Sequence, residues 1–252
     1  LKDVGKGNLG FRVSDFWLGL RAILIKDIVV ELRARQVLPT MVVLGMLIVF
    51  ILRMVSEPGS GGAGVSVMGA AALWIAFLFS GLLAQERSFA AERQNGCMDG
   101  LLLAPLDAGT IYLAKLLANM VMLAIFEAIV VPIVLMSFDL HVVGGWPRLV
   151  AVLLLGNLGI SSIGTLFSAA VQLTRTRGSL LSIVVLVILM PMMIPASFAL
   201  LVLFGALPDE IAGSSSFAFV GSFKAAVGYL LAFDAVFVVA CWLLFGVIID
   251  DG

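Results

Sequence analysis

Two acidic residues, Glu127 and Asp234, fall near the middle of long apolar runs, where a carboxyl group has no water to solvate it. Acids at that depth hold or pass protons, or pair with a base on a neighbouring helix. No Lys or Arg lies deep in any run to pair with them, and no His stands by for a proton relay. Both therefore read as protonated or helix-interface carboxyls rather than as a transport site. The single histidine, His141, lies in the loop "DLHVVGGWPR" near Trp146. Imidazole ligates metals and haem iron, but a lone histidine in an interfacial loop reads as plain surface, and Trp146 as an interface anchor. Cys97 and Cys241 are far apart and belong to no CxxC or CxxCH pattern, so no disulfide is expected between them. The Gly-rich stretch "SEPGSGGAG", residues 56–64, has no Lys, and nothing in the chain matches GxxxxGK[ST]. The expectation is a chain without catalytic, metal or cofactor ligands, unable to hydrolyse ATP alone.

A different kind of site is suggested by "ERQNGCMDGLLLAPLD", residues 92–107, where charges and helix breakers interrupt an apolar chain. Met98, Leu101, Leu102 and Pro105 recur at i, i+3, i+4 and i+7, with Glu92, Asn95 and Asp99 off that stripe. This pattern predicts a short amphipathic helix outside the bilayer. Its mixed charge suits a protein partner better than an anionic lipid surface.

The elements that hold these residues follow from composition. Of 252 residues, 62% are hydrophobic and 12% charged, against about 25% charged in a soluble domain. Mean hydropathy is +1.18. The chain's solvent is lipid, and a net charge of −1 without aromatic residues interleaved among the bases excludes nucleic acid as a partner. Six stretches reach the roughly 20 residues a spanning helix needs: 38–55, 65–84, 111–138, 149–173, 180–204 and 223–249. With a cytoplasmic N-terminus, only Arg53, Arg148 and Lys224 fall on the outer side and the other twelve of the 15 Lys and Arg fall inside, so both termini are expected to be cytoplasmic.

Before the first span, Leu18, Ala22, Ile25, Val29 and Leu32 share a helical face interrupted by Arg21; Asp15, Lys26 and Arg33 mark one polar side, and Asp27, Glu31 and Arg35 another. Residues 1–37 thus read as a cytoplasmic segment with an amphipathic helix lying at the membrane interface, or packed on the next span, and 38–249 as the transmembrane domain. Lys115 is expected to snorkel from the start of the third span. In the fourth span, Gly156, Gly159 and Gly164, together with Ser161, Ser162, Thr165 and Ser168, give a helix-packing face first and a substrate-path lining second. In the fifth, Pro191 and Pro195 predict a bend or break.

On these residues the chain resembles the permease subunits of ABC-2-type exporters. Those carry an acidic–basic pair, a Gly, an acid, a Leu pair and a Pro on the inner loop after span two, matched here by Glu92, Arg93, Gly96, Asp99, Leu101, Leu102 and Pro105. Lys115 stands where such families open span three with a Lys. The block "LGNLGISSIGTLFSAAVQLTRTRGSLLSIVVLVILMPMMIPASF", residues 155–198, is similar to the haem exporter protein B (CcmB) family. Arg175, Arg177, Gly178, Pro191 and Pro195 fit that family's short Arg-containing inner turn and Pro-interrupted fifth span. The resemblance runs from about residue 18 to 249. It departs in an N-terminal extension and in "LLLAPLD", where Asp107 replaces the more usual Pro.

The resemblance implies an all-α, six-helix permease of the bacterial inner membrane, acting in cytochrome c maturation. It would bind an ABC ATPase subunit (CcmA-like) through Glu92, Arg93, Gly96, Met98, Asp99, Leu101, Leu102 and Pro105. It would work in two copies beside a CcmC-like haem-handling protein and a small membrane subunit. ATP would be held by the ATPase and haem handled by the complex, with no cofactor on this chain. Three other readings stay open. One is an ABC-2 permease for lipid, polysaccharide or drug. Another is a secondary transporter or channel, for which the chain shows no convincing internal repeat. The third is a non-transporting assembly scaffold.

Overall fold

Every backbone amide in a bilayer must find its partner inside its own segment, so apolar runs of this length can only cross as helices. The computed structural model of the chain describes residues 13–34, 36–56, 62–94, 108–174, 178–207 and 221–250. The described residues form α1 (Val13–Ala34), α2 (Val37–Val55), α3 (Gly62–Gln94), α4 (Ala108–Ser137), α5 (Trp146–Thr174), α6 (Gly178–Leu203) and α7 (Phe223–Asp250). Six of them are long and apolar enough to cross a membrane, over Val37–Val55, Gly62–Glu86, Ala108–Ser137, Trp146–Val171, Ile183–Leu203 and Phe223–Val247. The protein is an integral, all-helical, multi-pass membrane protein, and its spans lie within about three residues of the expected ones.

Local chemistry sets the helix ends. α4 closes on Asp139, whose φ of 49° lets Leu140 N–H reach back to Leu135 O at 2.8 Å. α6 closes in the same way on Gly205, with Ala206 N–H donating to Leu201 O at 2.8 Å. Both are the left-handed caps that satisfy otherwise orphaned carbonyls. Val143 N–H then bonds Leu203 O at 2.7 Å, tying the α4–α5 connection to the end of α6.

α5 is the axis of the bundle. In its most apolar stretch 72% of residues are buried, against 22% in α2 and in α7, and α3, α4, α6 and α7 all pack on it. α2 lies outside, against α3 and α4. α1 packs mainly on α4 and only slightly on α2, the span that follows it. The end of the bundle that carries α1 is called proximal below, and the end of the α4–α5 connection distal.

The fifth span is not broken. α6 continues through Pro191 and Pro195 from Gly178 to Leu203. Pro195 has no N–H to offer the Pro191 carbonyl four residues back, but the surrounding packed helices hold the segment helical. A third proline, Pro132, sits inside α4 and leaves it helical as well.

Candidate functional site

The polar chemistry of the bundle gathers at its proximal end and along one seam rising from it. α1 does not meet the spans with its apolar stripe. Leu20 and Ile23 are buried and Phe16 packs beside them, with Asp27 and Glu31 on the same face. Leu18, Ile25 and Val29 of the expected stripe are exposed. The reason lies on α4. Lys115 is buried to 1% exposure at its side chain, and its Nζ stands 2.8 Å from Asp27 Oδ2. The expectation that Lys115 snorkels is therefore corrected: it is paired within the protein. A buried ammonium needs a counter-ion more than five apolar side chains need protein, because those side chains can meet lipid instead.

Asp27 is shared, since Lys26 Nζ approaches Oδ1 at 3.1 Å from the exposed side. Oδ2 makes no aligned hydrogen bond among the described residues, so its approach to Lys115 is charge to charge. One turn on, Glu31 accepts a 3.3 Å bond from Val37 N–H and so holds the start of α2. A void of about 20 Å³ lies between Asp27, Glu31 and Asn119, enough for one water. α1, α2 and α4 thus meet at one charged joint.

From this joint a hydrogen-bonded seam rises between α4 and α5. Tyr112 O–H donates to Ser162 O at 3.2 Å, and Asn119 Nδ2 donates to Thr165 Oγ1 at 2.9 Å. Higher up, Asn157 Nδ2 donates to Met120 O at 3.1 Å while Ser161 Oγ donates to Asn157 Oδ1 at 3.1 Å. Glu127 lies beside Asn157. Ser161 and Thr165 of the expected packing face are wholly buried, and Thr165 and, through Asn157, Ser161 belong to this seam. Ser168 is also buried, beside a small void with Gly164 and Glu86.

The opposite side of α5 is built on close approach. A Cβ on Gly156 would overlap the Trp74 ring, and one on Gly159 would overlap Met192 and stand 2.8 Å from Asp234 Oδ1. Met192 lies between Pro191 and Pro195 of α6, so those prolines flank a contact at the core of the bundle. Asp234 is 2% exposed and Glu127 6% exposed. Neither Asp234 oxygen, nor Glu127 Oε1, has a hydrogen-bond partner among the described residues. Their neighbours Asn157 and Gly159 are two positions apart on α5, about 200° around the helix, so the two acids occupy separate interfaces.

A family model described as CcmB protein matches residues 19–241. The chain belongs to the CcmB family. Two curated relatives carry the name heme exporter protein B. That of Paracoccus denitrificans (strain Pd 1222) is 36% identical over 138 residues, 54% of this chain and 62% of the relative. That of Haemophilus influenzae (strain ATCC 51907 / DSM 11121 / KW20 / Rd) is 33% identical over 129 residues, 50% of this chain and 57% of the relative. The matched segments thus span roughly three-fifths of these relatives' length. The CcmB match takes in most of α1 and continues into α7 as far as Cys241.

Within this CcmB chain, the residues expected to contact an ATPase fall mostly beyond the structural account. Gly96, Met98, Asp99, Leu101, Leu102 and Pro105, with Asp107, lie outside the described residues. Glu92 and Arg93 lie in the last turn of α3. That helix has 33 residues, about 50 Å at 1.5 Å per residue, whereas the hydrocarbon core is about 30 Å thick. Its crossing part ends at Glu86, so the two residues ride on a helical extension beyond the membrane.

At the distal end, His141 and Asp139 are exposed and line an open cavity of about 420 Å³ with Ser66, Phe138 and Phe204. No group of three or more metal-ligating side chains forms among the described residues. Cys241 is buried beside Tyr112, and Cys97 is outside the described residues. Sequence reasoning missed Asp27 as the partner of Lys115, and missed Tyr112, Asn119 and Asn157 as the seam. One signal was readable: Asp27 and Glu31, four apart, form an acidic face, and Lys115 is a base four residues inside the expected third span.

Proposed function

We propose that this chain is the permease subunit of an ABC transporter complex in cytochrome c maturation, seated in the bacterial inner membrane with both termini cytoplasmic. The observation that carries the reading is the CcmB match over residues 19–241 on a chain whose described residues include six helices long and apolar enough to cross a membrane. A separate CcmA-like ATPase binds ATP and grips the segment around Glu92, Arg93, Gly96, Met98, Asp99, Leu101, Leu102 and Pro105. Its nucleotide cycle drives haem export, or release of a haem-loaded chaperone, beside a CcmC-like protein and a small membrane subunit. Two permease copies serve the two ATPase subunits.

The geometry supports this reading in one respect. The α3 extension reaches past the membrane toward the proposed contact segment, and the joint at Asp27, Glu31 and Lys115 ties α1, α2 and α4 together at the same end. A push at that end meets a braced bundle and is passed along the α4–α5 seam toward the distal loops.

The test is co-expression of the chain with its ATPase. Asp99→Lys and Leu101→Asp should each abolish co-purification and the permease-dependent part of ATP hydrolysis. If both variants assemble and stimulate like the wild type, the contact assignment fails; if the wild-type chain recovers no ATPase, the ABC reading fails with it.

A further inference from the structure

The charges of α1 are sorted by the way it docks. Two of its acids, Asp27 and Glu31, face the spans, where Asp27 meets Lys115 and Glu31 meets the start of α2; the third, Asp15, shares the helical register of Arg33. Arg21 and Arg33 are exposed, and Lys26 reaches Asp27 from the exposed side. Placed at 100° per residue, Leu18, Ala22, Ile25 and Val29 form the centre of the outward face. Arg21 borders this apolar strip on one side and Arg33 and Lys26 on the other. Trp17, 62% exposed, lies beyond Arg21 on the flank of the strip, near the start of the helix.

We propose that this outward face of α1 is a docking surface for anionic lipid headgroups, presented by the Asp27–Lys115 pair. An apolar centre with basic side chains on both flanks is the pattern of a helix that lies in the interface, its stems in the acyl region and its cations at the phosphates. The depth agrees. Asp27 meets α4 at Lys115, about two turns inside its first residue, which is where headgroups and the first methylenes adjoin a span beginning at Ala108. Charge complementarity selects the lipid class, because Arg21, Lys26 and Arg33 outnumber Asp15, the one acid whose helical register falls on these flanks, and each Lys or Arg near an anionic surface favours it about fivefold. An acidic protein surface would match the cations but leave Leu18, Ile25 and Val29 without an equally apolar counterpart. The proposal is independent of the ATPase reading, since it concerns this chain in a bilayer alone.

The experiment uses the full chain in vesicles of phosphatidylcholine containing, at equal mole fraction, either brominated phosphatidylglycerol or brominated phosphatidylcholine. The Trp17 signal is the difference between the wild type and Trp17→Phe. Brominated phosphatidylglycerol should quench Trp17 at least about twofold more than brominated phosphatidylcholine, and added salt should shrink the difference. Arg21→Gln/Arg33→Gln should erase it while leaving the thermal midpoint unchanged, both side chains being exposed. Equal quenching by the two lipids in the wild type overturns the proposal. So does a Trp17 quenched by neither, which would mean that a second copy or another protein covers the face.

Discussion

Removing Lys115 tests whether α1 is held by charge or by apolar contact. In Lys115→Met the apolar packing of Leu20 and Ile23 is kept, and Asp27, 11% exposed at its side chain, loses its buried partner. Breaking a buried pair costs about 3–5 kcal/mol. Lys26, whose side chain is 46% exposed, remains 3.1 Å from Oδ1, so the cost belongs near the lower end, about 3 kcal/mol. Asp27→Asn should cost more, about 4–5 kcal/mol, because it strands the deeper charge. The double variant should cost about 4–6 kcal/mol, close to Asp27→Asn alone and less than the sum of the two, giving a coupling of about 2–3 kcal/mol.

Because the pair joins one helix to the bundle, the loss should appear as local opening of α1 rather than global unfolding. A shift of about 3 kcal/mol raises the detached fraction roughly 150-fold. The assay is amide exchange and limited proteolysis across residues 13–34 in detergent micelles, with α5 as the internal reference. If Lys115→Met exchanges in α1 like the wild type, or if the two single effects simply add, the buried pair does not hold the helix. The orientation argued for its lipid face would then lose its cause.

Two further outcomes follow from the far side of α5. Gly159→Val should destabilise the bundle by about 1–3 kcal/mol through overpacking against Met192 and Asp234, whereas Gly228→Ala, where a Cβ meets nothing within 4 Å, should be neutral or stabilising by up to about 1 kcal/mol; denaturation in mixed micelles separates the two. Asp234→Leu replaces a buried carboxyl lacking hydrogen-bond partners among the described residues with an apolar side chain of similar size, and should raise the thermal midpoint; a lower midpoint would mean that the carboxyl is held by a partner.

The spans were legible because lipid leaves the backbone one choice, and hydropathy alone then places each helix to within about three residues. Gly156 and Gly159 of α5 are points of close approach, a use that glycine in an apolar run suggests from sequence. What sequence could not give was pairing between helices distant in the chain. Asp27 and Lys115 are 88 positions apart, and nothing in either local pattern names the other. Read locally, α1 is an amphipathic helix whose apolar face can lie at the membrane interface or pack on the next span, and the local pattern does not name the face that meets the protein. A membrane protein has a second apolar solvent, so the apolar stripe need not be that face. Lipid accepts Leu18, Ile25 and Val29, while only the protein can neutralise Lys115. Pro191 and Pro195 remove two amide donors, and of the bend or break they predict, the break does not occur, because packed neighbours keep α6 helical.

The two sides of α5 also divide mechanical roles. Toward α4 the contacts are directional: Asn119 to Thr165, Asn157 to Met120 and Tyr112 to Ser162 each fix both register and rotation. Sliding α4 against α5 would break several of them at once, at roughly 0.6 kcal/mol each in a bilayer. Toward α6 and α7 the contact is a glycine surface touched by Met192 and Asp234, with neither Asp234 oxygen hydrogen-bonded among the described residues. A thioether on glycine can shift by a rotamer without losing a bond. If the bundle changes shape when its proximal end is pushed, α1, α4 and α5 should move as one body and the displacement should be taken up where α6 and α7 meet Gly156 and Gly159.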